Sequence, residues 1–159
     1  MQISNKLPLR IGVGIIVLNN KNKIFVGKRI DNQVGNHWQM PQGGVDKNEN
    51  FLQAAKRELE EETGIKTIKI IKEIENWFIY YLPKNLLGKV WKGKYGGQKQ
   101  RWFVAKFNGS NEEINIKTKH PEFIDWKWIE IEDLTKVAVN FKFSIYSKLK
   151  DELISLNLN

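Results

Sequence analysis

Apolar residues in this chain fall mostly into short runs and alternations, and only two segments carry helical spacing. Ile11 to Leu18 is almost continuously apolar, as a strand buried on both faces would be; Asn19 to Lys23 reads as a turn and Ile24 to Lys28 as the returning strand of a hairpin. Farther along, Lys66 to Glu75 and Trp77 to Leu82 alternate apolar with polar side chains. Arg101 to Phe107 does so again, and Asp125 to Ile129 makes a short aromatic strand. Gly88 to Lys99, GKVWKGKYGGQK, reads as a flexible basic loop. Helical spacing appears first in Leu52, Ala55 and Leu59, then in Phe143, Tyr146, Leu149, Leu153 and Leu156 of a closing segment from Phe141 to Leu156. Strands interleaved with a central and a terminal helix predict a mixed α/β domain.

Both ends of the first helix are marked. Asn50 with Gln53 three residues on makes a capping box, and Gly64 follows the last turn, where a left-handed C-cap residue is wanted. Glu58, Glu61 and Glu62 stand at i, i+3 and i+4, so three carboxylates rise on one face beside the apolar stripe. Like charges at those spacings repel, and a bound divalent cation reverses the sign. Hard ions of this kind take oxygen ligands and substrate phosphates together, which points to metal-assisted phosphate chemistry. From the charge run alone, a solvated Glu-rich helix accounts for the pattern equally well.

The spacing around the helix decides between them. Gly43, Glu49 and then Arg57-Glu58-Leu59-Glu60-Glu61-Glu62-Thr63-Gly64-Ile65 match the Nudix box, G-x5-E-x7-R-E-U-x-E-E-x-G-U with U a bulky aliphatic residue, at every specified position. The chain thus resembles the Nudix hydrolases, which cleave nucleoside diphosphates linked to another moiety. That resemblance implies an α/β/α sandwich with a mixed sheet between helices, one domain over residues 1–159, and divalent metal, two or more Mg²⁺ or Mn²⁺ ions. It implies Glu58, Glu61 and Glu62 as metal ligands, Gly43 beside them in the metal set, the same three glutamates with Arg57 as the catalytic residues, and Arg57 paired with Glu49 to brace loop and helix. Gly43, Gly44, Glu49 and Gly64 are the structural positions of the motif. Gly43 and Gly44 are expected to supply a tight turn through positive φ.

Composition changes the picture in two ways. The 159 residues carry a net charge of +8 despite the acidic helix, which favours polyanionic partners, although Lys outnumbers Arg 22 to 4 and a lysine-rich coding bias explains part of it. Arg10, Arg29, Arg57 and Arg101, the four arginines, are candidates for bidentate contacts to phosphate or carboxylate. Cysteine is absent, the first ten residues lack the apolar core of a secretory signal, and Gly12 to Leu18 is far short of a membrane span, so a soluble cytoplasmic protein is expected. His37 and His120 lack ligand spacing, and Trp102, Trp126 and Trp128 lie in strand patterns and read as core.

Further segments resemble the bacterial RNA pyrophosphohydrolases: Trp38 to Gly44, Asn76-Trp77 with Tyr81-Leu82-Pro83, Gly97 to Phe103, Pro121-Glu122-Phe123 with Trp126 and Trp128, and Phe141-Lys142. Only Ile30 to His37, IDNQVGNH, departs, being a few residues longer. The resemblance implies removal of pyrophosphate from the 5′-triphosphate end of RNA, leaving a 5′-monophosphate that opens the transcript to decay. It implies Glu122 as a further metal ligand from a loop, and Lys28, Arg29, Tyr81, Gln98, Phe141 and Lys142 as substrate contacts. Partners would be 5′-triphosphorylated RNA or nucleoside polyphosphates, with no membrane and no DNA; the oligomeric state is left open. Hydrolysis of dinucleoside tetraphosphates is the alternative activity, and a non-catalytic RNA- or nucleotide-binding domain the more distant one.

Overall fold

A computed structural model describes residues 7–31 and 35–158. Positions 32–34, in the middle of the longer Ile30 to His37 stretch, lie outside the described residues. The strands are β1 (Leu9–Leu18), β2 (Ile24–Arg29), β3 (Gln42–Gly44), β4 (Ile68–Tyr81), β5 (Gly97–Phe107) and β6 (Phe123–Ile129). The helices are α1 (Phe51–Thr63), α2 (Leu134–Val137) and α3 (Phe143–Ser155). They form one six-stranded sheet in the order β4-β5-β1-β2-β6, with the short β3 also paired to β1. The central pair β1·β5 is parallel and every other pairing is antiparallel, so the sheet is mixed.

Each face of the sheet is covered by one long helix. Ala54, Ala55 and Leu59 of α1 pack against Val13, Ile15, Val17, Phe25 and Phe103. Ile145, Tyr146, Leu149 and Leu153 of α3 close the other face over Ile16, Val26, Trp102 and Val104. Period-2 alternation divides β1 cleanly between these two cores, which is why its sequence is apolar at nearly every position. Each fully buried Ile, Val, Leu or Phe contributes about 1.5–3 kcal/mol relative to exposure. The expected α/β/α sandwich is therefore the fold.

The ends of α1 follow the sequence closely. Gln53 N donates to Asn50 Oδ1 at 2.8 Å while Asn50 N donates to Gln53 Oε1 at 2.9 Å. A cap of this kind is worth about 1 kcal/mol. Gly64 ends the helix at φ 75°, its N–H donating to Glu60 O.

Four expectations are corrected. Lys66 to Glu75 and Trp77 to Leu82 are not two strands but one, β4, because register shifts at Ile70/Lys72 and Ile74/Phe78 absorb the breaks in alternation. The loop expected over Gly88 to Lys99 contains a 3₁₀ turn at Val90–Gly93, and β5 already begins at Gly97, pairing with Leu9 and Tyr81. Phe141 and Lys142 sit in a 3₁₀ turn ahead of α3, whose exposed Phe143 leaves its place in the core to Ile145. Gly43 and Gly44 have no positive φ; they lie in β3, and what they provide is room. Among the described residues no helix is long and apolar enough to cross a membrane.

Candidate active site

Between α1, the loop after β4 and the turn before α3 lies a cleft of about 970 Å³. One wall is acidic. Glu58, Glu61 and Glu62 of α1 reach it past β3, joined by Glu122 from the segment leading into β6. Gly43 makes this approach possible: a Cβ there would overlap the Glu58 carboxylate. Glu62 is buried, and its Oε1 accepts from Gln42 N at 3.1 Å.

Arg57 organises the acids. Its Nε and Nη2 donate to Glu49 Oε2 and Oε1 at 2.8 and 3.0 Å, a bidentate pair, and Nη2 also donates to Gly44 O at 2.9 Å. Nη1 donates to Glu58 Oε1 at 2.9 Å and Glu61 Oε2 at 3.2 Å. One guanidinium thus ties the loop before α1 to two turns of the helix. The hydrogen bond from Arg57 holds the Glu49 carboxyl below its ordinary value. Burial pushes the Glu58 carboxyl up against the opposing pull of Arg57, and the Glu61 charge adds to the rise. Burial likewise raises Glu62 well above the carboxylate range, with the charges of Glu58 and Glu122 acting in the same direction.

Carboxylates gathered on one cleft, every one an oxygen donor, fit a hard divalent cation. As the side chains stand, no three His, Cys, Asp or Glu groups among the described residues converge enough to enclose an ion. Glu58 and Glu61 are both turned onto Arg57.

Basic and aromatic residues line the same cleft. Arg29 lines it and forks onto Asp31 at 2.7 and 2.8 Å, whereas Lys28, its neighbour on β2, is not among the cleft residues. Lys142 is buried there, Nζ donating to Gln39 Oε1 at 3.3 Å and lying 5.4 and 5.8 Å from the rings of Tyr80 and Phe141. Those two rings pack at 5.6 Å.

Besides Lys28, two further expected contacts lie elsewhere. Tyr81 is 57% exposed and absent from the cleft, where Tyr80 stands instead, because consecutive strand residues face opposite ways. Gln98 has no exposed surface; its Oε1 accepts from Tyr80 Oη at 2.9 Å and from Gln100 Nε2 at 3.1 Å, so it supports the Tyr80 ring from beneath and does not meet solvent. Arg101 is also off the cleft, 4.6 Å over the Trp77 ring. Gln39, Leu82 and Pro83 stand in segments picked out by resemblance but given no contact of their own, Leu86 was not singled out, and Trp91 belongs to the expected Gly88 to Lys99 loop; all five line the cleft. Arg10, picked out only as one of four arginines, lines the cleft with its guanidinium 5.2 Å over Trp91.

Burial lowers the Lys142 ammonium to about 7, with Arg29 pushing the same way and Glu62 and Asp31 opposing. A lysine lowered on folding binds its proton less well in the native state, so between about pH 7 and 10 the unfolded chain holds more protons and stability rises with pH. In denaturant titrations at stepped pH without metal, wild type is therefore expected to gain stability relative to Lys142→Met as pH climbs from 7. A difference that stays constant across that range would mean that Lys142 remains protonated.

Comparison with known proteins gives the following. A family profile described as NUDIX domain matches residues 8–149. The chain is 60% identical over 147 residues to the RNA pyrophosphohydrolase of Pelagibacter ubique, covering 92% of each. It is 46% identical to that of Roseobacter denitrificans, again covering 92% of each. Among solved structures, an E. coli dihydroneopterin triphosphate pyrophosphohydrolase superposes with a TM-score of 0.68 at 15% identity, covering 91% of this chain and 99% of that one. A C. elegans Ap4A hydrolase does so with a TM-score of 0.62 at 22% identity, covering 91% and 98%. At such identities the two structures bear on the fold alone.

Proposed function

The chain belongs to the NUDIX domain family, and from that premise we propose that it is a metal-dependent RNA 5′-pyrophosphohydrolase, converting a 5′-triphosphate end to a 5′-monophosphate and so exposing RNA to decay. The observation that carries the reading is one cleft that brings Glu58, Glu61, Glu62 and Glu122 together with Arg29, Lys142 and Arg10 and with the rings of Tyr80 and Phe141. A triphosphate needs both sets of charges: oxygen ligands for its counter-ions and cations for its own oxygens. The aromatic rings suit a base attached to it. The name RNA pyrophosphohydrolase borne by its near relatives supports RNA as the substrate.

Glu58, Glu61, Glu62 and Glu122 would hold Mg²⁺ or Mn²⁺, two ions or more, with the Gly43 backbone beside them. Such ions, when bound, neutralise phosphate charge and make water a competent nucleophile at neutral pH. The protein's own groups do the rest. Glu58, partly buried and raised in basicity, is placed to accept the proton of the attacking water. Arg57 fixes the direction of Glu58 and Glu61 through paired hydrogen bonds, so it positions the acids. Arg29 offers a planar fork and Lys142 a point charge to phosphate oxygens. Binding an anion beside Lys142 would restore its proton, so substrate and proton enter together. The site fits an enzyme working on nucleotide-containing phosphates.

One tube containing triphosphorylated RNA and a dinucleoside tetraphosphate, with Mg²⁺, tests this directly. Preferential conversion of the RNA to its 5′-monophosphate is the expected result. Much faster cleavage of the tetraphosphate would replace the RNA assignment with a dinucleoside polyphosphate one.

A further inference from the structure

The loop from 83 to 96 closes one side of the cleft and bears an unusual backbone. Trp91 (φ 52°, ψ 35°) and Lys92 (φ 57°, ψ 27°) are consecutive non-glycine residues in the left-handed region, and Gly93 continues it at φ 72°. Left-handed backbone is free of strain for glycine and costly for a residue with a Cβ. The loop has glycine at 88, 93 and 96, yet its first two left-handed positions of this run carry Trp and Lys. Strain kept where glycine would remove it points to side chains that are in use.

Those side chains have one chemistry in common. Trp91 lines the cleft, with the Arg10 guanidinium 5.2 Å over its ring and the Tyr95 ring edge-on at 6.1 Å. Lys84, Lys89, Lys92 and Lys94 stand exposed around it, and no acid interrupts the segment. A flat aromatic face among cations is what a single strand meets in a protein that stacks its bases and tracks its phosphates. The loop's backbone hydrogen bonds mostly return to the loop itself, as in Leu86 N to Pro83 O and Lys94 N to Trp91 O. Leu82 N to Gly96 O and Gly96 N to Pro8 O tie its ends to the sheet. Apolar feet at Leu86, Leu87, Val90 and Trp91 seat it on the α3-side core.

We propose that Trp91 is a stacking platform for a base beyond the first nucleotide of the RNA, and that the loop carrying it clamps the RNA chain, with Lys92 on a phosphate. The proposal rests on the RNA reading above. It differs from the contacts at Phe141 and Lys142, which belong to the turn before α3.

The test compares wild type with Trp91→Leu, which keeps the apolar foot and removes the flat face, and Trp91→Phe, which keeps a smaller face. Each variant is first checked for a wild-type melting profile. Turnover is followed on a free nucleoside triphosphate and on a triphosphorylated tetranucleotide; binding of a 5′-monophosphorylated tetranucleotide is followed by fluorescence anisotropy. Trp91→Leu is expected to weaken binding and raise KM for the tetranucleotide by roughly tenfold, to cost the free triphosphate far less, and to be partly rescued by Phe. Lys92→Gly is expected to raise Tm while weakening RNA binding. Equal losses on both substrates, or RNA binding untouched in Trp91→Leu, would overturn the clamp. Should wild type fail to cleave RNA, the functional reading falls, and the anisotropy result alone still decides the clamp.

Discussion

Glu58→Gln is expected to lower the turnover of triphosphorylated RNA by on the order of 10² or more while the protein keeps its fold. The amide has the shape of the acid, and Arg57 Nη1, which donates to Glu58 Oε1 at 2.9 Å, can go on doing so. What disappears is a negative charge and a proton acceptor. Stability should move the other way or not at all in the absence of metal. Glu58 lies partly buried, and its charge is one cause of the high Glu62 value, so neutralising it relieves repulsion inside the cleft. Lost rate with unchanged or raised Tm is the combination that marks a residue serving chemistry at some expense to the fold. EDTA should abolish wild-type activity and added Mg²⁺ restore it. A Glu58→Gln enzyme that runs at near-normal rate in saturating Mg²⁺ would remove this side chain from the mechanism.

Much of this site was legible because it is local. The capping box at Asn50 and Gln53, the C-cap at Gly64, and the i, i+3, i+4 stack of Glu58, Glu61 and Glu62 depend on residues within a few turns of one another. The structure reproduces the two caps and brings the three acids to the cleft. The aromatic part of the cleft depends on register. Whether Tyr80 or Tyr81 faces the cleft is set by the shift between Ile74 and Phe78 in β4, and no residue type announces a bulge of that kind. Gln98 shows the same limit in another form. A polar residue in a basic, aromatic segment reads as a surface contact, yet β5 buries it, with its Oε1 accepting from Tyr80 and Gln100. Alternation predicts that neighbouring strand residues part company; the face each one takes is a tertiary matter.

Gly43→Ala should bring about nearly the same loss of rate as Glu58→Gln, on the order of 10², without touching a charged group. Gly43 has ordinary extended backbone, so an alanine is conformationally acceptable there and the consequence is purely one of space. The added methyl meets the carboxylate end of Glu58, which is flexible and can swing aside; the cost in stability should therefore be small while the acid leaves its place. Gly44→Ala is the internal control, because its Cβ meets the far end of Arg10 instead, and it should disturb RNA affinity more than the chemical step. The decisive measurement is the double variant. If Gly43→Ala acts only by displacing Glu58, then Gly43→Ala with Glu58→Gln can be no slower than Glu58→Gln alone, since one group cannot be lost twice. Effects that multiply would instead give Gly43 a role of its own, through its backbone or the seating of β3, independent of where the Glu58 carboxylate points.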